Sequence, residues 1–333
     1  MTNQIGVIGA GAWGTALAQA IALSEKNVLL WAKETATTAE INKENTNNTY
    51  LEGVFLAETI NATHNIEEVV KTCKTLFIAC PSPYYTEIIT SISQLITDEH
   101  EIVICSKGLR DSDGALMSDI LCELIPTKPR IGVLAGPAFS KDISRGKPCM
   151  LTISSPSKEL IKNVNGILSL PSLRLYHNED MIGAQIGAAL KNVVAIAAGI
   201  AREMDLGESV HAAIICRGIK EIERYSKALG GHKDTIYGLA GLGDIILTAN
   251  STTSRNYNFG RHLGQGLSTE EALAKSDGYI EGLNTARIVT VTALSQGVDL
   301  AIIAAVDGIV YGDISAEKVI KHLLERPRTH EWD

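Results

Sequence analysis

Lys191 stands in Gly187-Ala-Ala-Leu-Lys191-Asn192-Val-Val, with apolar side chains for two turns on either side. Taken out of water, an ammonium loses the hydration that favours its charged form. Its pKa then falls, and such a lysine can exchange protons near neutral pH. The long stem could instead carry the charge to the surface, but the adjacent Asn192 is a second polar group needing a partner, which weighs against that. Lys107, in Ser106-Lys107-Gly108, lies at the carboxyl end of the apolar run 101–105. Open α/β sheets place their ligands there, although strand-end lysines are as often simply solvated. Further on, Ala240-Gly-Leu-Gly-Asp244-Ile-Ile-Leu-Thr248 sets Asp244 and Thr248 four apart, on one face of a helix. An acid there could orient Lys191 or bind a substrate hydroxyl. Ser254-Arg255-Asn256 reads as an N-cap, a guanidinium and an amide at a helix start, a possible clamp for a dianion. Singly, Asp244 and Ser254 could equally be caps. Together with two lysines they suggest a small phosphorylated polyol, and reversible oxidation of an alcohol needs such a base beside a polarising cation.

A hydride acceptor for that chemistry has a place near the start of the chain. Gly9-Ala10-Gly11-Ala12-Trp13-Gly14 follows one short apolar run and opens a helical one. In this order the first glycine permits a tight turn and the second lets the backbone approach a pyrophosphate. The third lets helix and strand pack closely, with the helix N-terminus facing the negative charge. Alone the pattern is weak, since glycines also serve ordinary turns; between a strand and a helix it points to a dinucleotide. Trp13 reads as a packing residue that offers its backbone N–H. The second strand ends at Lys33-Glu34, where an NAD-only site carries an acid for the ribose diol. Lys33 could meet a 2′-phosphate and Glu34 the diol, a lean toward NADP; a solvated pair on a surface turn is the alternative.

The elements that must position these groups fall into two sets. Strand-like runs at 5–8, 28–31, 76–79, 102–105, 131–134 and 150–153 alternate with helical stretches at 12–23, 84–95, 115–124 and 157–168. A last short strand is expected near 173–176. That spacing predicts parallel strands joined by right-handed crossovers, covered on both faces. After about Asn178 strands vanish, and helices are expected at 181–201, 208–229, 255–264, 269–275, 284–296 and 315–325. The expected fold is therefore α/β, a Rossmann-type parallel-sheet domain over 1–178 followed by an all-α substrate domain over 179–333, with the active site in the cleft between them.

Composition narrows the setting. A net charge of −8 argues against a sequence-independent grip on nucleic acid, so any phosphate site must be built locally. The six cysteines are scattered without a C-x-x-C pair or histidines at ligand spacing, which points to a reducing compartment and no structural metal. The run 5–8 is too short for a signal peptide. Residues 181–201 are long enough to span a bilayer, but they lack an aromatic belt and a basic flank and hold a central lysine. A buried helix of a soluble, cytoplasmic protein is the expectation, without membrane insertion.

With these motifs in order, the chain resembles the bacterial-type NAD(P)-dependent glycerol-3-phosphate dehydrogenases. The resemblance runs from Ile5 to about Tyr311, through GAGAWGTALA (9–18), SKGL (106–109), GPAF (136–139), KNVVAIAAG (191–199), AGLGDIILT (240–248), SRN (254–256) and EGLNT (281–285). It implies Lys191 as the proton acceptor. It also implies polyol-phosphate contacts from Lys107, Gly136, Ala138, Asp244, Ser254, Arg255 and Asn256, with Asn192 and Thr248 in the same shell. Cofactor contacts implied are Gly9, Gly11, Ala12, Trp13, Gly14, Lys33, Lys107, Ser140, Arg255 and Glu281, with Tyr279. Three positions depart from the family pattern. Ala12 lacks a frequent serine hydroxyl, Ala138 can offer only main chain, and Lys33 replaces an arginine or histidine. The resemblance further implies NAD or NADP as cofactor, a cytoplasmic homodimer, and a supply of glycerol 3-phosphate to phospholipid synthesis. Two other readings stay open at this stage: a two-domain dehydrogenase of a hydroxy acid such as ketopantoate or phosphogluconate, and a cofactor-sensing module that turns nothing over.

Overall fold

The computed structural model describes residues 4–312, 314–327 and 330. The apolar runs of the first half become β1 (Gln4–Ile8), β2 (Asn27–Trp31), β3 (Ile60–Thr63), β4 (Thr75–Ile78), β5 (Glu101–Ile104), β6 (Arg130–Ala135), β7 (Cys149–Ser154) and β8 (Leu173–Asn178). They form one sheet in the order β3-β2-β1-β4-β5-β6-β7-β8. Every residue of β4 and of β5 is buried, as expected of strands covered on both faces. The order reverses on either side of β1. The glycine turn at its carboxyl end therefore opens into the crevice where such sheets bind ligands.

Three expectations need correction. The strands are not all parallel: β7 runs antiparallel to β6, pairing Val133 with Ser154 and Ala135 with Thr152. The connection 136–148 does not cross the sheet. It turns back over the carboxyl end of β6 through the short helix Ser140–Ser144, which keeps Gly136, Ala138 and Ser140 at the ligand end. The edge strand β3 had no counterpart among the expected strands. It is short and alternates, with Asn61 exposed between buried Ile60 and Ala62, so it shows no continuous apolar run. The helix Ala301–Tyr311 was likewise not anticipated. Its Ile-, Val- and Ala-rich run lacks a clear polar stripe of period 3.6.

Past Asn178 the chain is helical. Helix Met181–Glu203 is the hub of this half, with Asp180 capping it: one carboxylate oxygen accepts from Gly183 N at 2.8 Å and the other from His232 N at 2.9 Å. Among the described residues it is the one helix long and apolar enough to cross a bilayer, and 83% of its apolar window is buried inside the protein. Around it pack helices Glu208–Ala228, Asp244–Ala249, Arg255–Gly264 and Glu281–Ser295. It also lies against β6, and Ala184 and Ala188 share a core cluster with Ile104 and Val133. Lys191 lies ten residues into this helix, a rise of about 15 Å, roughly the length of a five-residue strand.

Beneath the glycine turn lies a buried polar knot. Asn47, fully buried, donates from Nδ2 to Ala10 O at 2.9 Å and to Thr15 Oγ1 at 2.8 Å, while Thr15 Oγ1 donates to Ala10 O at 3.1 Å. Removing the amide leaves the Ala10 carbonyl with one donor fewer in a place water does not reach. Asn47→Ala should therefore cost about 1–3 kcal/mol of stability in urea unfolding. The same variant should also weaken cofactor binding, because the knot holds the turn; an unchanged midpoint would show that the knot contributes nothing.

Candidate active site

The glycine turn has the geometry that an anion requires. Gly9 adopts φ +114°, and a Cβ there would stand 2.8 Å from Ala79 O; a Cβ on Gly14 would collide with Gly9 O at 1.8 Å. Packing within the protein explains both glycines. Gly11 differs, since a Cβ there would meet nothing within 4 Å. Its space opens outward, where a ligand backbone can approach. Gly11 is also the N-cap of helix Ala12–Leu23, which has no side-chain cap and no acidic residue in its first turn. The first N–H groups of that helix, those of Ala12, Trp13 and Gly14, are free to hold a pyrophosphate. These residues fit a dinucleotide.

Trp13 packs against the core as expected, and Lys107 Nζ stands 5.7 Å from its ring centre. The indole Nε1 is buried and has no partner among the described residues. Lys33 and Glu34 are exposed at the end of β2, and Lys33 Nζ lies 5.1 Å above the ring of Tyr84. Tyr84, expected only as the start of a helix, and the loop after β4 were given no part in the site by the reading of the sequence. Its position beside β1 was the available signal, since Ala79 and Cys80 form one wall of the glycine turn.

At the carboxyl end of β5 the two lysines converge on one carboxylate. Lys191, 7% exposed, donates from Nζ to Asp244 Oδ1 at 2.5 Å and to Thr248 Oγ1 at 3.0 Å. Thr248 in turn donates to Asp244 Oδ1 at 3.3 Å, so residues four apart on helix Asp244–Ala249 grip the ammonium together. Lys107 Nζ lies 3.6 Å from Asp244 Oδ2, an ion pair too long for a hydrogen bond. Oδ2 itself is buried and accepts no hydrogen bond among the described residues. Lys191 thus does not reach for the surface, and Asp244 is no helix cap. Burial pushes the Lys191 pKa down to about 8 against the opposing pull of Asp244. For Lys107 burial acts in the same direction, but Asp244 and Glu281 together outweigh it and hold its pKa above the ordinary value. Two lysines on one acid are thereby driven apart: one is poised to exchange a proton, the other is fixed as a cation.

Asn192 donates to Glu281 Oε2 at 2.7 Å, so the polar neighbour of the lysine has its own partner. Glu281 is the first residue of helix Glu281–Ser295, which begins three residues earlier than the pattern predicted. Asn256 Oδ1 accepts from Gly282 N at 2.9 Å, tying two helix starts together. Ser254 is an N-cap, accepting from Tyr257 N at 3.2 Å, which leaves Arg255 as the first, exposed residue of helix Arg255–Gly264. Arg255 lines a neighbouring cavity of about 320 Å³ with Arg261, His262 and Lys275. Gly136, with φ +135°, turns the chain at the end of β6, and Ala138 and Ser140 follow half-buried. Tyr279 accepts from Asn284 Nδ2 at 3.3 Å, and burial pushes its pKa up to about 12.

Comparison with known proteins places this arrangement. Residues 4–161 match the family model described as NAD-dependent glycerol-3-phosphate dehydrogenase N-terminus, and residues 180–321 match the one described as its C-terminus. The glycerol-3-phosphate dehydrogenase [NAD(P)+] of Erythrobacter litoralis is 38% identical over the whole of both chains. A solved glycerol-3-phosphate dehydrogenase of Coxiella burnetii superposes with a TM-score of 0.93 at 31% identity, covering 98% of this chain and 99% of that one. A ketopantoate reductase of Ralstonia eutropha shares the fold alone, with a TM-score of 0.61 at 14% identity over 95% of this chain and 99% of that one. With both halves matched by the family's models and a relative this similar from end to end, the chain belongs to the NAD-dependent glycerol-3-phosphate dehydrogenase family.

Proposed function

We propose that this chain interconverts sn-glycerol 3-phosphate and dihydroxyacetone phosphate with NAD(P)(H), residues 1–178 holding the dinucleotide and 179–333 the substrate chemistry. The observation that carries the reading is the buried Lys191–Asp244–Thr248 cluster beside Lys107 at the carboxyl end of the sheet. A nicotinamide dinucleotide held by the glycine turn would supply or accept the hydride at C2 of the substrate. Lys191 handles the proton: its neutral amine takes it from the C2 hydroxyl during oxidation, and its ammonium returns it to the ketone oxygen during reduction. Lys107 stays charged and steadies negative charge on the substrate. Asp244 orients Lys191, and its Oδ2, which accepts no hydrogen bond among the described residues, suits a substrate hydroxyl. Main chain at Gly136 and Ala138, with Ser254, Arg255 and Asn256, hold the polyol phosphate, and Asn192 and Thr248 complete that shell. The first turn at Gly9, Gly11, Ala12, Trp13 and Gly14 holds the pyrophosphate, and Lys33, Lys107, Ser140, Arg255, Tyr279 and Glu281 meet the rest of the cofactor. We further propose a cytoplasmic homodimer that prefers NADP and supplies glycerol 3-phosphate for phospholipid synthesis.

The lysine makes opposite demands in the two directions. Reduction needs it protonated, so kcat/KM for dihydroxyacetone phosphate should be flat below about pH 8 and fall above. Oxidation needs it neutral, so kcat/KM for glycerol 3-phosphate should rise through the same pH. Lys191→Met should lower turnover by about 10²–10⁴-fold with cofactor affinity nearly intact. Turnover close to that of the unmodified enzyme would remove Lys191 from the chemistry.

Cofactor choice is tested at the end of β2. Lys33→Asp places a carboxylate where a 2′-phosphate would lie and should weaken NADPH far more than NADH in direct titrations. Equal losses for both cofactors would place Lys33 away from the adenosine ribose. For the phosphate, Arg255→Ala should raise KM for dihydroxyacetone phosphate about ten-fold or more, since a charge-assisted donor is lost. Unphosphorylated dihydroxyacetone should be little affected, and an unchanged ratio of kcat/KM between these two substrates would assign the phosphate to other residues.

A further inference from the structure

Helix Met181–Glu203 and the segment that carries Asp244 run side by side in the same direction, in a regular register. Gly183 lies against Thr235, Gly187 against Ala240 and Gly241, and Lys191 against Asp244 and Thr248. One turn further, Ala195, Ala198 and Ala249 share a small buried cluster. Gly187 and Lys191 are four residues apart, hence on one helix face. At the Gly187 level the contact is backbone on backbone: a Cβ there would stand 2.6 Å from Ala240 O and 3.2 Å from Gly241 Cα. The opposing stretch Leu239–Gly243 is wound as a π-turn closed by Gly243 N donating to Gly238 O at 3.1 Å. Its Gly241 is equally confined, since a Cβ would meet Ile236 O at 2.1 Å. Single π-turns inside α-helical runs commonly mark functional sites, and here the turn ends where Asp244 begins.

We propose that Gly187 and the glycine π-turn act as a spacer that fixes the separation of Lys191 from Asp244, and with it the pH range over which the enzyme works. The inference rests on the reading of Lys191 as acid and base. Among the described residues, the groups that act on the ammonium are Asp244 and Thr248 from the opposing segment, Lys107 from the loop after β5, and Glu281 from helix Glu281–Ser295. After burial itself, Asp244 has the largest influence on the lysine and opposes the loss of its charge. A methyl group on Gly187 must push Ala240 from 2.6 Å toward the 3.4 Å at which ordinary contact begins. Asp244, four residues on, moves away with it. The lysine keeps its burial and loses part of its counter-charge, so it gives up its proton at lower pH.

The test is the pH dependence of kcat/KM for dihydroxyacetone phosphate reduction in Gly187→Ala. The falling limb should move toward acid by on the order of half a pH unit or more. Helix propensity alone favours alanine, so a propensity effect has the opposite sign to a loss. Gly218→Ala is the control, because the nearest atoms its Cβ would meet, from 2.8 Å, belong to the Val194 side chain and not to the backbone that carries Asp244. It should lower the melting temperature and leave the limb in place. If Gly187→Ala does not fold, Ala195→Ser wedges the same pair of segments by one oxygen, and the same shift is expected. An unmoved limb in the folded variant, or an equal shift in Gly218→Ala, overturns the spacer. A limb that persists in Lys191→Met instead overturns the role given to the lysine, so the two failures are distinct.

Discussion

An ammonium ion kept out of water has to be matched locally, and in this protein a single carboxylate does most of that matching. Asp244 is fully buried, holds Lys191 at 2.5 Å and faces Lys107 at 3.6 Å. Breaking such a pair by removing one partner leaves an uncompensated charge, which is far more costly than never having built the pair. The arrangement therefore constrains everything that touches it. The long helix must present Lys191 inward, the loop after β5 must bring Lys107 to the same point, and Thr248 must stand one turn beyond Asp244. The advantage gained is chemical, because burial outweighs the shared acid at Lys191 and is outweighed at Lys107, so the two lysines have opposite protonation tendencies.

The sheet serves that convergence through its topology. The switch in strand order at β1 leaves a crevice above the glycine turn, and the reversal at β7 returns the chain over the same edge. Residues 136–148 consequently remain at the ligand end instead of crossing to the far side. Because β8 runs parallel to β7, the chain leaves the sheet at the opposite end, and the helix that follows climbs back along β6. The two halves thus meet with the glycine turn on one side and Lys191 on the other.

Much of this was legible from residue types alone. Lys191 announced itself as the sole charge in a long apolar run, and Gly11 as the middle glycine of a turn between strand and helix. Asp244 and Thr248 could be placed on one face, with Lys191 or a substrate hydroxyl as the partner of the acid, but spacing could not choose between them, because the contact joins segments more than fifty residues apart. The pairing of Asn192 with Glu281 was hidden for the same reason. Strand direction is not written in composition, so β7 read like its parallel neighbours. β3 lies at an edge, where alternation replaces a continuous apolar run, and Tyr84 enters the site only because β4 lies next to β1.

The hub helix also imposes an order on synthesis. It is made before nearly everything that covers it: Asp244–Ala249, Arg255–Gly264 and Glu281–Ser295 all lie downstream. While the ribosome works through those residues, the nascent chain carries an apolar helix long enough to cross a bilayer, with only β6 and its sheet to lean on. Exposed apolar surface of that kind invites aggregation and chaperone capture. The N-terminal half can meanwhile complete the crevice above its glycine turn, since every strand up to β8 precedes the helix. During translation, the whole eight-stranded sheet with its glycine turn can therefore exist well before Lys191 can meet Asp244.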